Sequence, residues 1–600
     1  MELKNMNKKL AAGLVTASLI LTMLTASACT ADTVTTQTGD DGTVTTTVTT
    51  TQNTEITTIS DTSTAAVTAD YDEEAATVFT FTDDGITAED GDYTGYKIDG
   101  TDLSIKEAGV YVLTGSCADG SVTVKKGTTD VTLVLAGLTL TNEGTETTAT
   151  APLAINKSTG VTIIVADGTV NTLTDSVYNN DDVYTANEEA ENAVIKCKDG
   201  SQVVITGSGT LNIVSNGKNG IKSGTTDTST DEANPRDAFL TIAGPTLNIT
   251  TTVNDAINAE QELNVLSGTL TIDAADDAIH SDLLLNIGVA NTAGPTIDIL
   301  GSTEGIEGAT VNIYSGDISI LSTDDLINAA NSDLKNYDFA INIYGGTIVA
   351  VSETGDGFDS NGNLNIYGGS IEVWCVSGAD NQPLDADGTV NIAGGTVLAA
   401  GMSSGMGMNL TASQGYVIYG SSANGMGGFG GKGGFGGQTN TANATVQKSA
   451  TVTITDESGK TVYTTAAPAA ATYIVFSSAD LTSGSTYTLK ANGTSAGTAT
   501  ASTGTSMGNM FNGGQPGQMP NQNGENGQMP TPPSDGNFTP GENGQMPTPP
   551  TDGSFTPGEN GQMPTPPTDG NFTPGQRPDF GGPNGNGQQP SPSDNSPQSI

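Results

Sequence analysis

Acidic residues recur at a fixed position in the middle of the chain, beside one apolar anchor residue. The repeated phrase is an acidic residue, a small residue, the anchor and another polar residue, as in Asp255-Ala256-Ile257-Asn258 and Asp356-Gly357-Phe358-Asp359. The anchors are residues 257, 279, 306, 327, 358 and 384, so the phrase returns every 21 to 31 residues. A period of this length indicates stacked repeat units, in which equivalent positions of successive units lie above one another.

Stacking brings the carboxylates of this phrase into one column, with neighbouring repeats about 4.8 Å apart. Like charges at that spacing repel strongly unless a cation screens them, and Ca²⁺ accepts about six to eight oxygen ligands in flexible geometry. We therefore predict calcium binding here; the alternative is a solvated acidic edge with raised pKa values. The candidate ligands are Asp255, Asp276, Asp277, Glu304, Glu307, Asp324, Asp325, Asp356, Asp359 and Asp385.

Tyrosines form a second predicted column, at the position that follows a repeated Asn-Ile pair. Tyr314, Tyr344 and Tyr367 occupy this position in successive repeats. Stacked tyrosines on an exposed surface offer a platform for sugar rings; the alternative is a ladder that stabilises the sheet through contacts between strands. The sequence does not separate these two interpretations. Trp374, the only tryptophan, is a weaker candidate for carbohydrate binding.

The residues that most catalytic sites need are scarce. His280 is the only histidine, and the only arginines are Arg236, in a polar loop, and Arg577, near the C-terminus. Carboxylates are too abundant for a pair of them to indicate glycoside hydrolysis. We therefore predict no catalytic residues and no enzymatic activity, with a calcium-dependent polysaccharide lyase as the alternative.

The elements that must position these residues have the pattern of short β-strands. Leu-Asn-Ile and related triplets recur from Leu247-Asn248-Ile249 to Val390-Asn391-Ile392, and apolar and polar residues alternate at period 2. The repeated asparagines are predicted to be structural, since stacked amides hydrogen-bond along a coil axis. The sequence predicts an all-β protein, a right-handed parallel β-helix whose coils bury their inward side chains against their neighbours, followed by a small antiparallel β-unit, with disordered termini.

Composition divides the chain into segments. Lys4, Lys8 and Lys9 precede an apolar run too short for a comfortable membrane span, which ends at Ala26-Ser27-Ala28-Cys29, a sequence that resembles a bacterial lipobox. We predict a lipoprotein signal peptide with lipidation of Cys29, the alternative being ordinary signal cleavage. The predicted segments are the signal peptide (1–29), a Thr-rich disordered tether (30–74), the β-helix (75–420), a Gly-rich loop (421–440), the β-unit (441–500) and a Pro-, Gly-, Asn- and Gln-rich disordered repeat tail (501–600).

The charge balance restricts the partners. The chain has 67 acidic and 19 basic residues and a formal net charge of -48, so it repels nucleic acid and anionic lipid headgroups. We expect a monomer that binds polysaccharide and contacts the membrane only through its lipid anchor, on the outer face of the cell membrane. Cys117, Cys197 and Cys375 are interpreted as small apolar residues inside the coils, with a Cys117–Cys197 disulfide as the alternative.

An ordered series of motifs gives the chain a family resemblance. These motifs include Gly207-Ser208-Gly209-Thr210-Leu211, Asn219-Gly220-Ile221-Lys222-Ser223, Asp277-Ala278-Ile279-His280-Ser281 and Gly394-Gly395-Thr396-Val397-Leu398. From about Val78 to Asn492 the chain resembles the secreted, carbohydrate-binding β-helix proteins of Gram-positive bacteria, although Asn219, Glu304 and Gln382 depart from the Asp of that family's usual turn.

The resemblance implies binding of cellulose or acidic pectic polymers and calcium within the β-helix. The predicted function is therefore a non-catalytic cell-surface lipoprotein that binds polysaccharide through a calcium-loaded β-helix. A structural or adhesin role is a further alternative.

Overall fold

The computed structural model describes residues 33–38, 44–49, 70–89, 91–229, 235–378, 381–403, 408–420 and 444–507. Every regular element in these ranges is a β-strand, which confirms the all-β prediction. The same ranges contain no helix with the length and apolar character needed to cross a membrane. The predicted signal peptide with Cys29, the Gly-rich loop and the repeat tail beyond residue 507 lie outside the described residues.

Most strands belong to one large, mainly parallel sheet that the chain builds coil by coil. Each coil passes through three runs of strands, which we call faces 1, 2 and 3 in chain order, and each strand pairs with its equivalents one coil earlier and one coil later. Face 1 consists of the shortest strands: Asp102–Ile105, Ser121–Val124, Leu153–Ile155, Ala193–Cys197, Asn219–Ser223, Ile257–Ala259, the first part of Ile279–Ile287, the first part of Ile306–Ile313, Ile327–Ala329 and Phe358–Ser360.

Several long strands continue from one face to the next. Face 2 contains Thr77–Thr82, the first parts of Gly109–Cys117, Val131–Thr141, Phe239–Thr251 and Glu262–Asp273, the second parts of Ile279–Ile287 and Ile306–Ile313, and Gly160–Val165, Gln202–Gly207, Ala340–Ile343, Asn363–Ile366, Val390–Ile392 and Asn409–Tyr419. Face 3 contains the remaining parts of the first four long strands, with Val170–Thr174, Thr210–Ser215, Thr296–Gly301, Asp317–Ser322, Thr347–Ser352, Ser370–Cys375 and Thr396–Gly401. Gly85–Glu89 and Tyr96–Asp99 add antiparallel partners at the N-terminal end.

The strand register confirms that the acidic phrase marks one position in every coil. The anchors Ile257, Ile279, Ile306, Ile327 and Phe358 are direct neighbours in the ladder, and a bridge joins the last of them to the anchor at residue 384. All are fully buried in a core that follows the coils. Burying one such side chain contributes roughly 1.5–3 kcal/mol, and each coil gains this only by stacking on its neighbours.

The repeated asparagines form a hydrogen-bonded ladder on face 2, as predicted. The Nδ2 groups of Asn286, Asn312, Asn342 and Asn365 donate to the Oδ1 atom of the asparagine one coil earlier, at 2.9 to 3.0 Å. One copy departs from this column: Asn248 lies on face 3 and donates to Asn212 there. The Leu-Asn-Ile triplet does not indicate on which face its strand lies. Phe239–Thr251, which contains Asn248, passes from face 2 to face 3 through a register shift within one strand.

The predicted C-terminal β-unit is present, but one of its four strands differs from the prediction. Its antiparallel sheet has the order Thr461–Ala466, Thr451–Thr455, Thr486–Ala491, Thr494–Thr500. Tyr473–Ser477, predicted to belong to this unit, instead pairs antiparallel with the last strands of faces 3 and 2. Its residues are all buried, as expected for a strand covered on both sides.

Two further strand pairings involve residues of the segments predicted to be disordered. Ser502–Met507, in the segment predicted as tail, pairs with Asn409–Tyr419. Thr33–Thr38 and Val44–Thr49 pair antiparallel within the segment predicted to be a disordered tether. Both of the latter strands are rich in Thr and Val, whose branched side chains favour extended strands.

Candidate functional site

The acids two residues before each anchor lie in the turn that leads into face 1. Asp255 Oδ1 accepts a hydrogen bond from the Asp277 backbone N–H at 3.3 Å, and Asp325 Oδ1 accepts one from the Asp356 N–H at 2.7 Å. Each carboxylate therefore satisfies a backbone donor one coil later. Asp255 and Asp277 are only 4% and 9% exposed, so this part of the column is not the solvated edge that the sequence left as an alternative.

Three carboxylates converge near the middle of the column. Asp277, Glu304 and Glu307 each offer one ligand atom, and these atoms lie within 4.8 Å of one another; Asp255, Asp277 and His280 form a second such group. An ion with oxygen ligands at about 2.3–2.6 Å fits between atoms at this spacing. This is the acidic cluster, and it can hold a metal ion. Within the described ranges, no convergent group includes Asp276, Asp324, Asp325, Asp356, Asp359 or Asp385.

His280 supplies a positive charge inside the acidic cluster. Its Nδ1 lies 2.9 Å from Asp277 Oδ2 and 2.7 Å from Glu307 Oε2, and its Nε2 lies 2.9 Å from Asp282 Oδ1. Burial lowers the pKa of His280, but hydrogen bonds to these three carboxylates outweigh burial and raise the pKa to about 12. The sequence analysis assigned His280 no role, whereas its imidazolium occupies a position between acids that a metal cation would also favour.

Three acids of the column, Asp255, Glu304 and Asp325, are held where deprotonation is unfavourable. Burial, with the charge of Asp277, raises the pKa of Asp255 to about 6. Burial, with the charge of Glu307, raises the pKa of Glu304 to about 8. Burial also raises the pKa of Asp325 to about 7. These carboxyl groups therefore bind protons near neutral pH unless a cation favours their ionised form.

The tyrosine column is a ladder of parallel rings. The ring centroids of Tyr314 and Tyr344 lie 4.9 Å apart with planes 5° from parallel, and those of Tyr344 and Tyr367 lie 5.1 Å apart at 11°. Each ring covers a face of its neighbour, and Tyr344 is 38% exposed. Because a sugar ring stacks on a free aromatic face, this geometry favours the stabilising ladder over the sugar platform.

Trp374 does not contribute to a binding surface. It is 0% exposed and belongs to a buried cluster with Leu398, Ile474 and Phe476, beneath the C-terminal β-unit. The prediction of carbohydrate contact by Trp374 is therefore wrong. The sequence could not show this, because the residue points outward from face 3 and is covered by strands that follow about a hundred residues later.

A polar groove of about 650 Å³ lies at the N-terminal end of face 1, and the sequence analysis missed it. Its walls carry hydroxyl, amide, carboxylate and ammonium groups, and within it Ser121 Oγ donates to Asp102 Oδ1 at 2.7 Å. The lining residues include Lys97, Asp102, Ser104, Ser121, Thr123, Asn142, Thr150, Ala154, Asn156 and Glu191. Ser104 and Thr123 alternate with apolar residues and so point outward, which is the only local signal of this groove in the sequence.

One row of outward side chains joins the polar groove to the acidic cluster. Strand register places each member beside the next, from hydroxyl-bearing residues through lysines to acids. We call it the face 1 row: Ser104, Thr123, Ala154, Lys196, Lys222, Asn258, His280, Glu307, Asn328 and Asp359. Except at Ala154, it offers hydrogen-bonding or charged groups at each successive coil along the coil axis.

The cysteines take no part in this site. Cys117, Cys197 and Cys375 are free and buried, which confirms their interpretation as small apolar residues and contradicts the alternative Cys117–Cys197 disulfide. Burial raises the pKa of Cys197 to about 12, so its thiol is inert.

The fold and site define an all-β protein of stacked parallel strands with a polar, charge-graded surface along one face. The model of a family described as "Carbohydrate-binding domain-containing protein" matches residues 99–405, and the chain belongs to this family. The match spans the coils that carry the groove, the face 1 row and the acidic cluster.

The comparisons with solved structures and with curated proteins give no information about activity. A solved structure, described as that of the polysaccharide lyase-like protein from C. thermocellum in a gadolinium derivative, is 22% identical, and the match covers 54% of this chain and 92% of that chain. With a TM-score of 0.27, this likeness supports no conclusion about activity. The comparison with curated proteins found no match.

Proposed function

We propose that this chain binds a polysaccharide, cellulose or an acidic pectic polymer, along face 1 of a right-handed parallel β-helix, without catalysing its cleavage. The observation that carries the proposal is the face 1 row, because a linear polymer repeats its contacts just as successive coils repeat theirs. Membership of a carbohydrate-binding family supports the class of ligand. The polar groove provides the hydroxyl and amide groups that sugar hydroxyls require as partners.

Calcium is the proposed ion of the acidic cluster. Asp277, Glu304 and Glu307 supply convergent oxygen ligands, and the raised pKa of Glu304 shows that burial without a cation disfavours its ionised form. When bound, the ion supplies positive charge with which an acidic polymer can interact. His280 competes with calcium for this site, since its imidazolium already contacts two of the three ligands, Asp277 and Glu307.

The proposed location is the outer face of the cell membrane, with the monomeric protein anchored by lipid on Cys29. This proposal rests on the signal-like N-terminus and the lipobox-like Ala26-Ser27-Ala28-Cys29. Mass spectrometry of the mature N-terminus tests it: a diacylglyceryl modification on Cys29 supports the anchor, and an unmodified N-terminus contradicts it.

Retention on insoluble cellulose and polygalacturonate, with calcium and with chelator, tests the binding function. We expect retention on at least one polymer, with calcium strengthening retention on polygalacturonate. Absence of retention on every glycan in the presence of calcium would contradict the proposal. Release of unsaturated uronides, followed by ultraviolet absorbance, would instead support the lyase alternative.

A further inference from the structure

Three lysines gather on face 1 between the polar groove and the acidic cluster, in a chain with only 19 basic residues. Lys198 Nζ lies 2.6 Å from Glu191 Oε1, and Lys222 Nζ lies 3.2 Å from Glu260 Oε1. In the described part of the chain, Lys196 has neither a hydrogen bond nor an ion pair. Its register neighbour toward the C-terminus is Lys222, so one ammonium group remains without a carboxylate partner.

The polar groove extends to the register neighbour of Lys196. On the side away from Lys222 that neighbour is Ala154, whose small side chain lines the groove. Strands in one sheet lie about 4.8 Å apart, so a group seated above Ala154 is within reach of the Lys196 ammonium. Burial, with the like charge of Lys222, lowers the pKa of Lys196 and outweighs the opposing effect of the Glu260 and Glu191 charges. These two carboxylates form their ion pairs with Lys222 and Lys198 instead.

We infer that Lys196, with Lys222 beside it and the polar groove leading to it, binds a carboxylate of an acidic polysaccharide directly, without a metal ion. The inference rests on the proposed function and assigns its anionic subsite. A carboxylate at this position replaces the missing partner of Lys196 and forms a charge-assisted hydrogen bond, which is stronger than one between neutral groups. The acidic cluster, about four strands further along the row, contacts a different part of the polymer.

Calorimetric titration of the full chain with oligogalacturonate in the presence of chelator tests this subsite. Lys196→Gln is expected to weaken binding about tenfold or more, and Lys196→Arg, which keeps the charge, to retain most of it. Ala154→Met fills the space beside Lys196 without changing charge and should also weaken binding. Lys460→Gln, a change of an exposed lysine in the C-terminal β-unit, is the matched control and should leave the affinity unchanged.

The outcomes separate this inference from the proposed function. Unchanged affinity in both Lys196→Gln and Ala154→Met, with unchanged melting temperatures, overturns the subsite. So does a wild-type chain that binds oligogalacturonate only with calcium, or that binds only a neutral cello-oligosaccharide, although the proposed function then stands. If the wild-type chain binds no glycan under any of these conditions, both proposals fail.

Discussion

At the scale of single residues, His280 determines how the acidic cluster is stabilised. It is the only histidine in the chain, and its ring lies within hydrogen-bonding distance of Asp277, Asp282 and Glu307. Removing one partner from a buried group of charges leaves the others uncompensated, which costs more than the pair itself contributes. The imidazolium therefore supplies the positive charge that a metal ion would supply at this position.

His280→Gln is expected to lower the free energy of unfolding by about 3 kcal/mol in chelator at neutral pH, because Asp277 and Glu307 lose their counter-charge. Calcium should restore more stability to this variant than to the wild-type chain, since the competing cation is gone. Thermal unfolding with chelator and with calcium measures both effects. Glu353→Gln, a change of an exposed acid, is the control. Equal calcium stabilisation of wild type and His280→Gln would show that the ion does not bind at His280.

At the scale of elements, the three stacked tyrosines join successive coils where face 2 ends. Tyr344 lies between Tyr314 and Tyr367 and contacts both rings. Each aromatic contact is worth about 0.5–1.5 kcal/mol beyond the area it buries. Tyr344→Leu should therefore lower stability by about 2 kcal/mol and leave glycan affinity unchanged, measured by thermal unfolding and calorimetric titration. A loss of affinity with unchanged stability would restore the platform interpretation.

The C-terminal β-unit covers face 3 and encloses Trp374. Since Trp374 is the only tryptophan, its emission reports this packing directly. We expect blue-shifted emission in the native protein and no change on addition of glycan, because the indole is 0% exposed. Phe476→Ala, which removes a neighbour from the same cluster, should shift the emission to longer wavelength and lower stability by about 3 kcal/mol or more. Quenching of native Trp374 by glycan would contradict the buried position.

The sequence predicted the elements whose pattern is local. The anchor at residue 257 and its successors stack in the predicted register, because a buried residue flanked by turn residues repeats its environment in every coil. The position of Asn248, the partner of Tyr473–Ser477 and the burial of Trp374 could not be predicted, since each depends on which distant strand lies opposite. The polar groove was missed for the same reason: its lining residues come from separate coils and share no motif.

At the scale of the whole molecule, a net charge of -48 makes self-repulsion a general cost of the compact state. This repulsion is strongest among the acids of face 1, because they are buried beside one another. A divalent ion that binds only the folded chain stabilises it by mass action, whereas sodium chloride at equal ionic strength supplies screening alone. The difference between the two salts therefore isolates specific calcium binding.

The pH dependence of stability in chelator follows from the raised pKa values. In the folded chain the pKa is about 8 for Glu304, about 7 for Asp325 and about 6 for Asp255 and Asp359, all above their ordinary values near 4. The folded state therefore binds protons that the unfolded chain releases, and stability falls as pH rises through these values. Asp227, whose pKa hydrogen bonds from Ser158 and Ser229 lower to about 2, affects stability only on the acid side of this window.

We therefore expect the melting temperature in chelator to fall from about pH 4 to about pH 8, and calcium to reduce or reverse that slope, because calcium requires deprotonated ligands and binds more tightly as pH rises. Glu304→Gln should make this slope shallower up to about pH 8, since Glu304 has the highest pKa of these four carboxyl groups, and should weaken the calcium effect. The raised pKa of His280 continues the fall above that range. Glu353→Gln should change neither the slope nor the calcium effect.

Calorimetric melting across this range, with calcium or with sodium chloride of equal ionic strength, provides the measurement. If both salts shift the melting temperature equally at every pH, the acidic cluster binds no calcium, and its carboxylates are held only by the side chains of His280 and Asn328.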